Sequence, residues 1–352
     1  MTYSVGIIGT GFGTKVHLPA LQAHEDFEVK IIAGRNPSKT EKIAAEAGIK
    51  GTTNWREILN QDVDLITIST PPFLHYEMAM EVLQAGKHLL LEKPTTHSAL
   101  QAQQLVSTSL NHNLVGMMCH EFRWLPHRNY LTHLVSEENI IGDLQEIHYN
   151  SYQSFAALSD NPKFGWLWDS RFEGGMLGAL GSHLIDQIRA TTQREFLTVS
   201  GYTTTRTQIR QDYHGEMQKV TADDGFGLFF EMDNDVRGVL TASATVSPAL
   251  GSKFILSGDK GTVYNENDKI YFGEIGGSFE EVEIPSEFQI DTALQEKDRR
   301  IPPFLKLLDQ VKLSLDDGKS LTPSLTDGWR NQLVVDAVRQ SQATGQKISI
   351  KR

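Results

Sequence analysis

At 352 residues the chain exceeds one ordinary compact domain and suits two. Apolar residues at 39% and charged residues at 22% are ordinary globular material, and a net charge of −11 argues against nucleic acid and against an anionic membrane surface, both of which want a basic face. A single cysteine, Cys119, allows no intrachain disulfide, and no leader-like pattern or membrane-length apolar run stands out, so the expected compartment is the cytoplasm.

Up to Cys119 short apolar runs alternate with amphipathic stretches. The runs Val5–Ile8, Val29–Ala33, Val63–Ser69, His88–Glu92 and Leu114–Cys119 lack polar alternation, which predicts strands covered on both faces. Between them, Lys39–Ala47, Tyr76–Ala85 and Leu100–Leu110 carry helical spacing. The fold class is α/β: a Rossmann-type doubly wound parallel sheet over residues 1–122. From 123 to 352 the grammar changes. Helices are expected over Tyr130–Glu137, Gly181–Thr191 and Asp327–Thr344, with closely spaced strands from Leu144 onward separated by turns such as Asp233-Asn234-Asp235. That predicts an α+β domain with a mostly antiparallel sheet.

Four motifs carry chemistry. Gly9-x-Gly11-x-x-Thr14 follows the first strand and opens a helix, so Gly9, Gly11, Phe12, Gly13 and Thr14 are expected to cradle a dinucleotide pyrophosphate. Thr14 stands where a third glycine usually packs helix on strand, which predicts a slightly looser contact there. The second strand ends at Ala33-Gly34-Arg35-Asn36, with no acid for the ribose hydroxyls and Arg35 available for a 2′-phosphate; NADP is therefore preferred, with NAD as the second choice.

Glu92-Lys93-Pro94 ends a further strand, on the edge where open parallel sheets bind ligands. A lysine there can hydrogen-bond or exchange a proton with a substrate hydroxyl. Ser69-Thr70-Pro71-Pro72-Phe73-Leu74-His75 belongs to the same edge and reads equally as a rigid turn. In the second half, Gly174-Gly175 through Gly181-Ser182-His183 to Asp186 places His183 and Asp186 on one helical face, with histidine the natural proton carrier near neutral pH. The segment Phe164–Arg171 contains Trp166, Trp168 and Arg171 and suits a sugar-type pocket or a core equally. No ligand cluster with zinc-like spacing appears, and no metal is expected.

Together these pieces resemble the Gfo/Idh/MocA family (glucose-fructose oxidoreductase, inositol dehydrogenase, rhizopine catabolism) over almost the whole chain. The carriers are Gly9 and Gly11; Thr70, Pro71 and His75; Glu92, Lys93 and Pro94; the glycine segment ending at His183 and Asp186; and the closing Asp327-Gly328-Trp329 helix. The resemblance implies an N-terminal Rossmann domain and a C-terminal domain whose open sheet forms homodimers or homotetramers. It implies hydride transfer between nicotinamide C4 and a sugar, polyol or related small molecule. By the same resemblance Lys93 contacts the substrate hydroxyl and His183 serves as acid/base. Gly9, Gly11, Phe12, Gly13, Thr14, Arg35, Thr70, Pro71, His75, Glu92 and Lys93 fall to the cofactor; Arg123, Trp168, Arg171 and Asp186 are the candidate substrate contacts.

Two departures stand out. Ala179 occupies the position, four before the histidine, where relatives with the full catalytic set carry an aspartate, and Glu121-Phe122-Arg123-Trp124 replaces a common Asn-Arg-Arg-Phe. Ala179 motivates a second expectation, a nucleotide-sensing regulatory or scaffold protein that has kept the pocket and lost the chemistry.

Overall fold

The computed structural model describes residues 2–351 and divides into two compact units. One holds the chain up to Trp124 together with Ile290–Gln332; the other holds Leu125–Gln289 together with the chain from Leu333 on.

The first unit is built on β1 (Tyr3–Ile8), β2 (Phe27–Ala33), β3 (Lys50–Thr52), β4 (Leu65–Ile68), β5 (His88–Leu91) and β6 (Gly116–Met118). All pairings are parallel, in the order β3-β2-β1-β4-β5-β6. The order reverses between β1 and β4, and a crevice opens there at the C-terminal strand ends. The strands are linked by α1 (Leu18–Ala23), α2 (Pro37–Ala47), α3 (Arg56–Leu59), α4 (His75–Gln84) and α5 (Ala99–Asn111). Polar caps start two of these helices: Asn36 accepts the Lys39 N–H at 3.0 Å, and Ser98 accepts the Gln101 N–H at 3.4 Å. β4 is buried at every position because helices cover both faces of the sheet.

The second unit contains α6 (Pro126–Ser136), β7 (Leu144–Tyr152), α7 (Ser182–Thr192), β8 (Phe196–Thr204) and a small hairpin of β9 (Ile209–Gln211) and β10 (Met217–Lys219). Then follow β11 (Gly225–Met232), β12 (Arg237–Ser243), β13 (Gly251–Gly258), β14 (Gly261–Glu266), β15 (Lys269–Glu274) and β16 (Glu280–Val282). Last in the chain come α8 (Ile301–Asp317), α9 (Leu325–Thr344) and β17 (Ile348–Ser349). The large sheet runs β16-β15-β14-β13-β7-β12-β11-β8-β17, and every pair but β7 with β12 is antiparallel. Strict alternation turns Phe226, Leu228 and Phe230 of β11 into a core with Leu131 and Leu134 of α6 and Leu184, Ile185 and Ile188 of α7, while Phe229 stays exposed on the other face.

The expectation of one continuous second domain over 123–352 is corrected. α8 begins at Pro302-Pro303, and its stripe of Ile301, Phe304, Leu307, Leu308, Val311 and Leu315 packs with Val5, Ile7, Leu21 and Ile32 of the first unit. α1 is only six residues long, so this helix supplies the rest of the cover on that face of the parallel sheet. The division between units then falls inside α9. Among the described residues no helix is long and apolar enough to cross a membrane.

Candidate active site

The glycine loop leaves β1 with Gly9 at φ +121°, a conformation that favours glycine. A Cβ on Gly9 would lie 2.6 Å from Ser69 Oγ, whereas one on Gly11 would meet nothing within 4 Å. The loop is thus tight beneath and open above, the shape needed for a pyrophosphate to approach backbone N–H groups. A wide five-residue turn over Gly13–His17 leads into α1, and Gly13, with Ser69 Oγ and Ile7 Cγ2 at 2.5 and 3.2 Å from its would-be Cβ, takes the close-packing role. The looser contact expected at Thr14 is therefore absent: the tight position is one residue earlier. The Thr14 hydroxyl turns back to the carbonyls of Thr10 (3.2 Å) and Gly11 (3.1 Å). Phe12 is half-buried, edge-on to His17 at 5.6 Å and beneath the Arg300 guanidinium at 4.6 Å.

At the end of β2, Arg35 is exposed and makes no hydrogen bond or ion pair among the described residues. Beside it Gly34 is walled in by Thr10 and Thr40. His75, at the start of α4, is fully buried rather than facing the crevice. Its Nδ1 lies 2.8 Å from the Pro94 carbonyl and its Nε2 2.9 Å from the Thr70 carbonyl, so it ties the loop after β4 to the loop after β5. Burial lowers its pKa, against the pull of the two carbonyls.

Glu92 is also turned inward. Its Oε1 lies 3.0 Å from His17 Nε2, its Oε2 accepts the Lys93 N–H at 3.1 Å, and the Thr67 hydroxyl sits 2.7 Å from His17 Nδ1. Burial would push the Glu92 carboxyl up, but the hydrogen bond and charge of His17, with Lys93 and His75, hold it below its ordinary value. Glu92, His17 and Cys119 bring one donor atom each within 4.8 Å of one another; because both imidazole nitrogens are engaged, we read a hydrogen-bonded cluster. Burial, then the acids Glu92 and Glu121, push the Cys119 thiol well up, which makes it a poor nucleophile. Lys93 itself is half-buried at the strand end, and its bond to Pro94 is cis. His17 and Glu121 were missed in the sequence; an inward-facing histidine one turn into the first helix was the available signal.

In the second unit, His183 and Asp186 both lie on α7 and are buried. The glycines before them serve close backbone approach: a Cβ on Gly174 would lie 2.4 Å from the Trp166 carbonyl oxygen, and Gly175 has φ +122°. Gly175 N–H donates to Leu167 O (2.8 Å), and Leu177 N–H donates to Asp223 Oδ2 (2.8 Å). Ala179 continues this turn, its N–H donating to Gly175 O at 3.0 Å.

Trp168 is 1% exposed and stacks under Arg210 at 4.0 Å, the core side of the even choice that the sequence left. Arg171 reaches back to Asp169, with Nη2 2.6 Å from Oδ2, and this pairing holds the Asp169 carboxyl below its usual range. Arg123 lies against Thr322 and Asp327, Nη2 to Oδ1 3.4 Å, in the first unit.

Comparison with known proteins agrees with this layout. Residues 3–120 match the oxidoreductase family with an NAD-binding Rossmann fold, and residues 132–264 match the GFO/IDH/MocA C-terminal domain. An uncharacterized oxidoreductase of Synechocystis sp. is 29% identical, with 96% of this chain and 93% of that protein covered. Levoglucosan dehydrogenase of Pseudarthrobacter phenanthrenivorans is 27% identical, covering 97% and 96%. The solved structure of a levoglucosan dehydrogenase with NADH and L-sorbose superposes with a TM-score of 0.88 at 23% identity, over 99% of each chain, a likeness of fold. With both halves of the chain matched in order, the chain belongs to the GFO/IDH/MocA family of NAD-binding oxidoreductases.

Proposed function

We propose that this protein is an NAD(P)-dependent dehydrogenase or reductase acting on a carbon that bears a hydroxyl or carbonyl group in a sugar, polyol or related small molecule. The observation that carries the reading is the strand-end edge of the first unit, where an open glycine loop, a half-buried Lys93 and its buried support from Glu92 and His75 occur together. The relative named levoglucosan dehydrogenase, and the structure solved with NADH and L-sorbose, support the substrate class. When bound, the nicotinamide supplies hydride transfer at C4. Gly9, Gly11 and Gly13 give the pyrophosphate its approach, Lys93 hydrogen-bonds the substrate oxygen, and His183 takes or returns the hydroxyl proton. These last two roles rest on the order of the motifs.

NADP(H) is the preferred cofactor in this proposal. Gly34 leaves no room for an acid, and the Arg35 guanidinium is unengaged. The exposed face of the nine-stranded sheet serves homo-oligomerisation, and the protein works in the cytoplasm. The test is a panel of sugars, polyols and lactones with purified protein, each with NADP and NAD, followed at the nicotinamide absorbance band. Lys93→Ala should cut turnover of any accepted substrate by about 10²–10⁴-fold, and undiminished turnover would remove Lys93 from the chemistry. Ala179 favours the second reading, a nucleotide-sensing regulatory protein; cofactor binding with no turnover across the whole panel would install it instead.

A further inference from the structure

Two buried carboxyl groups leave adjacent strand ends in the first unit. β5 and β6 are paired through Leu91 and Met118, and the Cys119 N–H donates to the Leu91 carbonyl at 2.8 Å, so Glu92 and Glu121 emerge side by side. They are 5% and 1% exposed. Their surroundings differ in one respect. Both Glu92 oxygens have partners, His17 Nε2 and the Lys93 N–H, whereas Glu121 Oε2 is buried with no hydrogen-bond partner among the described residues.

An ionised carboxylate in that position would keep a buried oxygen without a hydrogen bond, offset only in part by the charges of Lys93 and Arg300, and proteins favour the neutral form of such a group. Of these two cations Arg300 is committed elsewhere: its Nε donates to Asp298 Oδ1 at 2.8 Å and its plane covers Phe12. Burial, then the negative charge of Glu92, push the Glu121 carboxyl up to about 8, with Lys93 and Arg300 pulling it back.

We propose that Glu92 and Glu121 form a carboxyl pair holding a single negative charge at this strand-end edge, and that oxidised cofactor expels the proton of Glu121 on binding while reduced cofactor leaves it in place. The inference rests on the reading of this strand-end edge as the NAD(P) site. Oxidised nicotinamide carries a unit positive ring charge and the reduced ring carries none. A unit charge brought to within about 6 Å of a buried carboxyl would lower its proton affinity by about a hundredfold at an effective dielectric near 20. That suffices to ionise Glu121 near neutral pH. The expelled proton passes to solvent, and the pair then carries two negative charges.

The other titratable or charged groups around the pair are Lys93 at the end of β5, Cys119 at the end of β6, His17, His75 at the start of α4, and Arg300 with Asp298 before α8. Among them Glu121 is distinguished by having a buried oxygen without a partner. The site would thereby read cofactor redox state through pH. Above about pH 8 the discrimination fades, because Glu121 is ionised before the cofactor arrives.

Calorimetric titration with NAD(P)⁺ and with NAD(P)H at pH 7.5, in phosphate and in Tris, measures the protons released on binding. Wild type should release about half a proton to one proton per oxidised cofactor bound and almost none per reduced cofactor. Glu121→Gln should release almost none with either. A second measurement needs no cofactor. Between pH 6 and 9 the thermal midpoint of wild type should fall more steeply than that of Glu121→Gln. Binding without proton release, or release unchanged in Glu121→Gln, overturns the pair alone. Failure of both cofactors to bind overturns the pair and the functional reading together. Parallel stability profiles overturn the pair whatever the cofactor does. Should Glu121→Gln not fold, Glu121→Met, close in length and unable to ionise, takes its place in both measurements.

Discussion

A Cβ placed on Gly34 would lie 2.3 Å from Thr10 Cγ2, so the end of β2 is closed by the phosphate loop of the same unit. Thr40 completes the wall, its hydroxyl donating to the carbonyls of Gly34 (3.1 Å) and Asn36 (2.7 Å). The place from which an acid would reach the ribose hydroxyls of NAD is thus sterically filled by two threonines, and the next residue, Arg35, faces solvent.

Cofactor choice should follow from this pair of facts. Arg35→Ala is expected to weaken NADPH binding by about tenfold or more, the loss of one charge-assisted phosphate contact, while NADH binding stays nearly constant. Gly34→Asp should cost roughly 1–3 kcal/mol of stability through overpacking, without improving NADH affinity. Fluorescence titration of both reduced cofactors and a denaturant curve measure these effects. Equal losses for NADPH and NADH in Arg35→Ala would take Arg35 out of 2′-phosphate recognition.

His75 offers a separate handle on the same site. Its ring stands between the carbonyls of Thr70 and Pro94, and a phenylalanine keeps the volume but removes the N–H that the neutral imidazole donates there. His75→Phe should cost roughly 1–3 kcal/mol in stability and weaken cofactor binding as the loops after β4 and β5 lose their tie. An unchanged melting midpoint together with unchanged affinity would show that the tie is dispensable.

Asp223 carries a pH dependence whose sign can be stated. It accepts the Leu177 N–H at 2.8 Å, and burial, opposed by that bond and by Arg339, raises its carboxyl from 3.8 to about 6. A raised acid favours the folded state while protonated, so this contribution is fully present below about pH 4 and lost as pH rises through about 6. Asp223→Asn keeps an acceptor for Leu177 and cannot ionise. It should gain on wild type between pH 4 and 8 by up to roughly 3 kcal/mol, read from denaturant midpoints across pH. A constant difference between the two proteins at all pH values would show that Asp223 does not titrate in the native state.

Much of this was legible in the residues, for reasons that can be named. β1, β2, β4, β5 and β6 announce themselves because strands covered on both faces must be apolar throughout, and α2 and α5 begin at the polar caps Asn36 and Ser98. β3 escaped because three residues, Lys50–Thr52, none of them buried, carry no apolar signal. α8 escaped in its allegiance. Its periodicity states that it buries Phe304 and Leu308, but only three-dimensional packing says against what. At the site, Lys93 and the glycine loop could be read because their chemistry is tied to short local spacing. Glu121 and His17 could not, since a buried carboxyl looks like any surface glutamate until its neighbours are known. Trp168 shows a choice that composition leaves even: its ring is occupied by the Arg210 guanidinium, which also donates from Nη1 to the Leu158 carbonyl at 2.7 Å.

The outer face of the large sheet makes the last prediction. Phe229 on β11 is 66% exposed, and beside it runs a groove of about 320 Å³ with Phe230 and Val239 in its lining and Glu146, His148, Glu231, Arg237 and Lys347 among the polar residues around it. Tyr202 on the neighbouring strand β8 adds a second exposed aromatic side chain. An apolar strip flanked by charges of both signs is self-complementary under a two-fold axis, because each copy offers acids to the other's bases. If two sheets meet through this face, Phe229→Glu places a charge at the centre of the contact and should convert a dimer or tetramer to monomer. The substitution faces solvent within a single chain, so the far-ultraviolet circular dichroism should not change. Light scattering on the eluting protein measures the mass directly, and a wild-type monomer, or a variant that keeps the wild-type mass, would move the interface off this sheet.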